Sequence, residues 1–385
     1  MVYEMSTERT QHVYHPAYEK KTGQTQVTRQ PSAAARLAAT AALLLVFCLA
    51  PALARAQMRE FIYTSAPFPS AHASTLVELK NGDYLAAWFG GTAEGQPDVA
   101  IWSSRRTASG WSAPVELARE ANVPTWNPVL FHAKNGRLWL YYKFGPRFTW
   151  WTAARRYSDD EGRTWSPIQH LPAGIYGPIR AKPLVLPSGV IVSGTSVESY
   201  SSWAAWVERS VDNGLTWTRI GPVTLPQLQA APQVAPPPGE KELEPVGIIQ
   251  PVIVSLGGSH LRLYARSSSQ IGRICVADSK DLGRTWSAAR PLDLPNPNSG
   301  IDLVRLRDGR IVLIYNDTST GRTPLNLAVS TDGEHFHNFA VLESSPGEFS
   351  YPALIQGSDG NLHITYTYNR KRIRYVVYPL SQIPR

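Results

Sequence analysis

Six places in this sequence set a polar, cationic or aromatic side chain just ahead of an apolar run: His72, Trp126-Asn127, Arg180 or Lys182, Gln250, Asn298-Ser299 and Tyr351. Gathered at one end of a fold, such residues suit a sugar acid, which aromatic rings stack on and amides and cations hydrogen-bond. Arg266 in LRLYAR and Arg322 in STGRTPLNLAVS add guanidinium groups, which grip a carboxylate through two parallel bonds as lysine cannot. Arg370, in Tyr366-Thr367-Tyr368-Asn369-Arg370, extends the same set. His72 could serve as a general base, since an unperturbed imidazole titrates at about 6.5. Metal and cofactor chemistry find no footing: the histidines are scattered, no His/Asp/Glu group has ligand spacing, and Gly90-Gly91 and Gly257-Gly258 sit in turns rather than in phosphate-cradling loops. No metal and no cofactor are expected.

The elements that must position these residues form a repeat. S-x-D-x-G-x-T-W occurs in full at residues 158–165, 210–217 and 279–286, with eroded copies at 330–336 and from Ser104 to Trp111. The closing aromatics fall at Trp111, Trp165, Trp217, Trp286 and Phe336, so one period is about fifty residues. The longest gap holds residues 226–245, whose prolines and charges predict a surface loop rather than a strand pair. Ahead of each box lie two apolar strands joined by a glycine turn, as in STLVELKNGDYLAAWF, PVLFHAKNGRLWLYYKF and IDLVRLRDGRIVLIYN. Asn-Gly and Asp-Gly there predict tight hairpins of the primed type. There are six such hairpins, a third strand follows each, and the box turns the chain into a fourth. The fold class expected is therefore all-β, a six-bladed β-propeller of four-stranded antiparallel blades with Asp-box turns, which leaves no long exposed edge. The boxes themselves belong to folding: Ser and Asp bond the turn backbone, Gly supplies positive φ and Trp fills the space between blades.

Composition agrees. The chain has 385 residues, 43% of them apolar, with 12 Trp, 17 Tyr, 31 Pro and 28 Gly but only 18% charged residues, which favours many short strands. The net charge is +8, of which the first 56 residues carry six Lys/Arg against three Glu. No basic block resembles a nucleic-acid tail, and an acidic small ligand fits the balance better. Residues 37–49, LAATAALLLVFCL, follow Arg29 and Arg36 and precede Ala54-Arg55-Ala56, the pattern of a signal peptide cut after Ala56; the long polar stretch before Arg29 suggests a translation start placed too far upstream. The expected organisation is a leader over 1–56 and a propeller over 57–385, exported to the periplasm or medium and free of the membrane after cleavage. Cys48 and Cys275 cannot build a disulfide framework in the mature part.

Six blades with Asp-boxes resemble the sialidase superfamily over residues 60–380. The resemblance implies a nucleophilic tyrosine primed by a glutamate, an aspartate acid/base and three arginines on the substrate carboxylate. An anionic substrate would repel a carboxylate nucleophile, a reason to use a phenol. Phe349-Ser350-Tyr351-Pro352-Ala353-Leu354 occupies the place of the tyrosine motif, which makes Tyr351 the nucleophile; Asp98 in Gly95-Gln96-Pro97-Asp98 matches the acid/base, and Arg266 and Arg322 match the second and third arginines. Two positions depart from the family. His72 stands where the first arginine belongs, and counting back sixteen residues from Arg266 to the priming glutamate lands on Gln250, which cannot accept a phenolic proton. Glu198, Asp302 or His72 could take that duty.

The sequence thus predicts a secreted exo-glycosidase releasing a terminal acidic sugar, sialic or a related ulosonic or uronic acid. Tyr351, Asp98, His72 and Glu198 are its catalytic candidates, and Arg266, Arg322, Gln250, Asn127, Trp126 and Arg370 its substrate contacts. Two alternatives stand beside it: a propeller polysaccharide lyase or uronate- or rhamnoside-active enzyme, and a non-catalytic glycan- or protein-binding propeller.

Overall fold

The structure, a computed structural model, is described here for residues 57–226 and 245–385. The expected leader over 1–56 and nearly all of the proline-rich insertion lie outside the described residues. What is described is all-β: 25 strands, with 3-10 turns at Phe148–Trp150 and Leu380–Gln382. Among the described residues no helix is long and apolar enough to cross a membrane.

The strands form antiparallel meanders in chain order. Ser70–Glu78, Tyr84–Gly91 and Ala100–Thr107 make the first, with two short outer strands on the last of these; Thr125–His132 to Gln169–His170 make the second. An eight-stranded sheet holds two consecutive meanders, running from Leu184–Val185 to Thr218–Val223 and from Val246–Gly257 to Arg290–Pro295. The two are joined by a parallel pairing of Ser202 with Val246 and Trp203 with Gly247. Asp302–Arg305 to His337–Glu343 follow, and then Phe349–Gln356, Leu362–Tyr368 and Arg372–Tyr378. The fourth strand of that last sheet is the first of the described chain, Met58–Phe61, paired antiparallel with Arg372–Tyr378.

Each meander starts with a strand facing a common cavity of about 570 Å³, lined among others by Leu76, Leu130, Val185, Val252, Leu303 and Leu354. The second strands are buried on both faces; Ile311–Tyr315 is buried at every position. The box aromatics seal each sheet against the one before it. Trp217 Nε1 donates to Tyr141 Oη at 3.2 Å, the Phe336 and Tyr264 rings meet edge to face at 6.0 Å, and Trp111 meets Tyr375 at 5.1 Å.

The Asp-boxes are turns held from inside. The Asp281 carboxylate accepts the Thr285 hydroxyl at 2.6 Å and the amides of Arg284 and Thr285 at 2.9 Å, while Ser279 Oγ accepts the Gly283 amide at 2.8 Å. Gly283 has φ +82°, a conformation that glycine adopts without strain. The threonine and serine bonds recur around Asp160 and Asp212.

The hairpin turns differ in one respect from expectation. At Asn81-Gly82 and Asn135-Gly136 only the glycine has positive φ. Gly82 N donates to Leu79 O at 2.9 Å and Leu79 N to Asp83 O at 2.8 Å, so three residues rather than two make the loop. Such a loop ends on a left-handed glycine and leaves the asparagine free to accept the amide two residues on, as Asn81 does from Asp83 at 3.2 Å.

Candidate functional site

At the amino-terminal end of the cavity-facing strands one backbone feature repeats. The ladder slips between His72 and Thr75, Trp126 and Val129, Ile249 and Val252, and Ser350 and Ala353. Within each slip one residue is left-handed: Ala73 at φ +55°, Asn127 at +41°, Gln250 at +53° and Tyr351 at +49°. A bulge of this kind turns a side chain out of the sheet alternation. Left-handed φ is readily adopted by asparagine but is strained for a bulky aromatic residue, and such strain concentrates where function fixes a side chain. Proline follows three of the four (Asn127, Gln250 and Tyr351).

These bulges gather most of the residues singled out by the sequence. The Tyr351 ring lies 4.3 Å from the His72 ring, centroid to centroid, with the guanidinium carbons of Arg180, Arg266 and Arg322 at 5.2, 5.5 and 5.5 Å from its centre. Arg266 Nη1 donates to Tyr351 Oη at 2.5 Å and to Gln250 Oε1 at 3.2 Å, and its Nε and Nη2 donate to Asn298 Oδ1 at 2.8 and 2.6 Å. Gln250 also bonds Glu198, whose carboxylate accepts from Ser196 Oγ at 3.1 Å. Burial pushes the Glu198 carboxyl above its ordinary range, against the opposing pull of Arg266 and of these bonds. A chain of contacts thus runs from Glu198 through Gln250 and Arg266 to Tyr351.

Arg322 and Arg370 reach the cluster from its rim, braced by Glu348. Arg322 Nη1 donates to Glu348 Oε1 at 2.8 Å, Arg370 Nε to both its oxygens at 2.9 and 2.8 Å, and Arg370 also pairs with Glu94. Burial would raise the Glu348 carboxyl, but the Arg370 bonds and the two cations outweigh it and hold it low. Along the other side His72 meets Phe89 at 5.5 Å and Phe89 meets Trp126 at 5.9 Å. Asn127 follows Trp126 and is buried.

Charge is the distinctive property here. His72 is 1% exposed, and among the described residues neither of its ring nitrogens has a hydrogen-bond partner. Burial, then Arg370, Arg322, Arg180 and Arg266, push its pKa well below the usual value, so the ring is neutral. Arg180 and Arg266 are each 6% exposed. Arg180 donates to the carbonyls of Ile301, at 2.5 Å, and Pro352; Arg266 donates to two amides and a phenol. Among the described residues neither forms an ion pair with a carboxylate. Two buried cations with neutral partners favour an anion beside them, because unpaired buried charge is costly.

Asp98 stands apart from these bonds. It is exposed and accepts the Thr92 hydroxyl at 2.7 Å and the Thr92 amide at 2.8 Å, bonds that hold the carboxyl below its ordinary range. Its loop does approach the cluster, since Glu94 there pairs with Arg370. Asp302 and Lys182 pair with each other at 2.9 Å, and Asp302 also accepts the Leu354 amide, inside the cavity. Of the alternatives Arg180 and Lys182, Arg180 is therefore the one over Tyr351. Glu348 and Glu94 escaped sequence reasoning; Glu348 sits three residues before Tyr351 but pairs with side chains 22 and 26 residues away, which leaves no local signature. Among the described residues no His/Cys/Asp/Glu group could hold a metal.

A family model for the BNR repeat-like domain matches residues 82–364. The chain belongs to this BNR repeat family. No curated protein matches its sequence. Among solved structures, a protein of unknown function from Dyadobacter fermentans superposes with a TM-score of 0.66 at 16% identity, over 84% of this chain and 99% of that one. The NanB sialidase of Streptococcus pneumoniae gives 0.65 at 13% identity over 84% and 71%. The intramolecular trans-sialidase of Ruminococcus gnavus, solved with oseltamivir carboxylate, gives 0.63 at 15% over 84% and 97%. The BNR repeats of this chain thus adopt the sialidase fold, in which its bulges, arginines and Tyr351 share one end.

Proposed function

We propose that the sheets are the six blades of a closed propeller, exported behind a leader cut after Ala56, and that its Tyr351 end is the active site of a glycosidase acting on a terminal acidic sugar. The single observation that carries this reading is the pair of buried arginines, Arg180 and Arg266, held only by neutral partners around a strained tyrosine. A sugar carboxylate supplies the missing charge, with Arg322 and Arg370 closing on it from the rim. The Tyr351 hydroxyl passes its proton to solvent water as its oxygen bonds the anomeric carbon and the glycosidic C–O bond breaks, and Arg266, already bonded to that oxygen, holds it in line for the attack. Asp98, once protonated from solvent, gives that proton to the departing oxygen and then takes one from the water that releases the sugar, while the Tyr351 oxygen regains its proton from solvent. Glu198 stands in for the expected glutamate at one remove, acting on Arg266 through Gln250, while neutral His72 hydrogen-bonds the sugar in place of an arginine.

A panel of aryl glycosides of sialic, ulosonic and uronic acids tests this, with Tyr351→Phe and Asp98→Ala as controls. Release of the aryl group from at least one acid, abolished in Tyr351→Phe, is expected. Turnover of none sinks the reading. A second reading, a propeller that binds acidic glycans without turning them over, draws on the ionised state of Asp98 and on the amide at Gln250, where a base would be needed. Binding with no product, unchanged in Tyr351→Phe, would favour it.

A further inference from the structure

Lys143 occupies the same register position in its hairpin as Arg266 does two meanders later: Trp126 pairs with Lys143, and Ile249 with Arg266. Where Arg266 turns to Tyr351, however, the Lys143 ammonium donates to the Pro178 carbonyl at 2.7 Å. From the next meander, Glu208 on Ser202–Ser210 accepts the amides of Tyr176 at 3.0 Å and Gly177 at 2.6 Å. Both side chains are fully buried, at 0% exposure. Burial pulls the Lys143 ammonium down to about 7 and pushes the Glu208 carboxyl up to about 7. Fully burying two ionisable groups is costly, and what these two share is the segment that both grip.

That segment leads straight into Arg180. At four other strand starts the backbone is fixed by ladder pairing, His72 with Phe89, Trp126 with Lys143, Ile249 with Arg266 and Ser350 with Thr367. The chain before Arg180 is not in a strand, and its first regular pairing comes at Leu184 with Val192. One backbone bond, from Ile179 N to Gly194 O at 3.2 Å, holds it to the sheet. Gly177, at φ +62°, lies so close over Tyr141 that a β-carbon there would meet the ring. Side-chain anchors do here what a ladder does elsewhere.

We propose that Lys143 and Glu208 are positioning residues that hold residues 176–178 so that Arg180 stays over Tyr351, and that they act on anion capture through Arg180. The capture half rests on the reading of this end as an acidic-sugar site; the holding half does not.

Two measurements on the full chain test the two halves separately. The first is amide hydrogen exchange over residues 176–182 in the wild type, Lys143→Met, Glu208→Gln and Lys143→Arg, with no ligand present. Exchange should quicken by about tenfold or more in Lys143→Met and Glu208→Gln, confined to that segment, and return toward wild type in Lys143→Arg, which keeps a donor for Pro178. Unchanged exchange there, or a rise spread over the whole chain, overturns the proposal. The second is a calorimetric cycle for sialic and glucuronic acid binding. Lys143→Met should raise Kd about tenfold in the wild type but leave it unchanged in an Arg180→Ala background, because residues acting through one another are non-additive. Equal losses in both backgrounds contradict the proposal. Failure of the wild type to bind either acid would overturn the acidic-sugar reading and the capture half with it, and the exchange result then decides whether Lys143 and Glu208 position Arg180.

Discussion

The two ends of the sheets satisfy their polar groups in opposite ways. At the Asp-box end the box aspartates are met by donors from their own turns: Asp160, Asp212 and Asp281 each accept the hydroxyl and amide of a threonine four residues on. At the Tyr351 end the partners are distant in sequence. Arg266 reaches Tyr351 across 85 residues and Arg180 reaches the Pro352 carbonyl across 172. One end repeats a motif whose aspartate bonds close within each turn, whereas the other uses a repeated bulge to present a different side chain from each of four strands. The repeated end builds the scaffold, and the varied end is where a ligand can be told from its analogues.

That contrast can be broken or sharpened experimentally. The largest effect belongs to Arg266: its replacement by alanine should weaken acidic-sugar binding by about 100-fold or more, since it strips a charge-assisted donor from the ligand and leaves Asn298, Gln250 and Tyr351 facing a void. Calorimetry reads this, and a loss within threefold would count against an anion site.

A middle-sized effect concerns pH. Glu208 is raised from 4.5 to about 7 in the fold, so the folded chain holds the extra proton between those values, and the stability this group contributes is lost as pH rises from about 4.5 to 7. Lys143 is lowered from 10.5 to about 7, so its contribution is full above 10.5 and is lost as pH falls toward 7. Compared with the Lys143→Met/Glu208→Gln double variant, wild-type stability in urea should therefore dip near neutrality. Parallel pH curves for the two proteins would contradict these assignments. The smallest effect is at the other end: Ser279→Ala, which removes the buried hydroxyl bonded to Asp281 and Gly283, should cost about 1–2 kcal/mol of stability and leave ligand affinity untouched. A change in affinity there would mean that the two ends are not separable.

The same contrast explains what could be read from the sequence. The Asp-boxes and hairpins were legible because their bonds close within a few residues, as between Ser279 and Gly283. Even there, turn geometry was finer than composition could resolve, and Asn81-Gly82 proved to be part of a three-residue loop. At the varied end, repeat position pointed to His72, Gln250 and Tyr351 because each stands one place from or on its bulge. It could not choose between Arg180 and Lys182, since the segment before them is not a strand and carries no alternation to read. Glu208 and Lys143 were hidden for a related reason: a charged residue in an apolar strand reveals a buried partner but not which loop supplies it.

The claim at the centre of this account is that buried, neutrally partnered arginines make the Tyr351 end a site for an anion. Calorimetric titration of the wild type with an acidic sugar, and with the same sugar carrying a carboxamide in place of its carboxylate, tests it most directly. The account predicts that the acid binds and that the amide binds about 100-fold more weakly or not at all. Equal affinity for the two would contradict it.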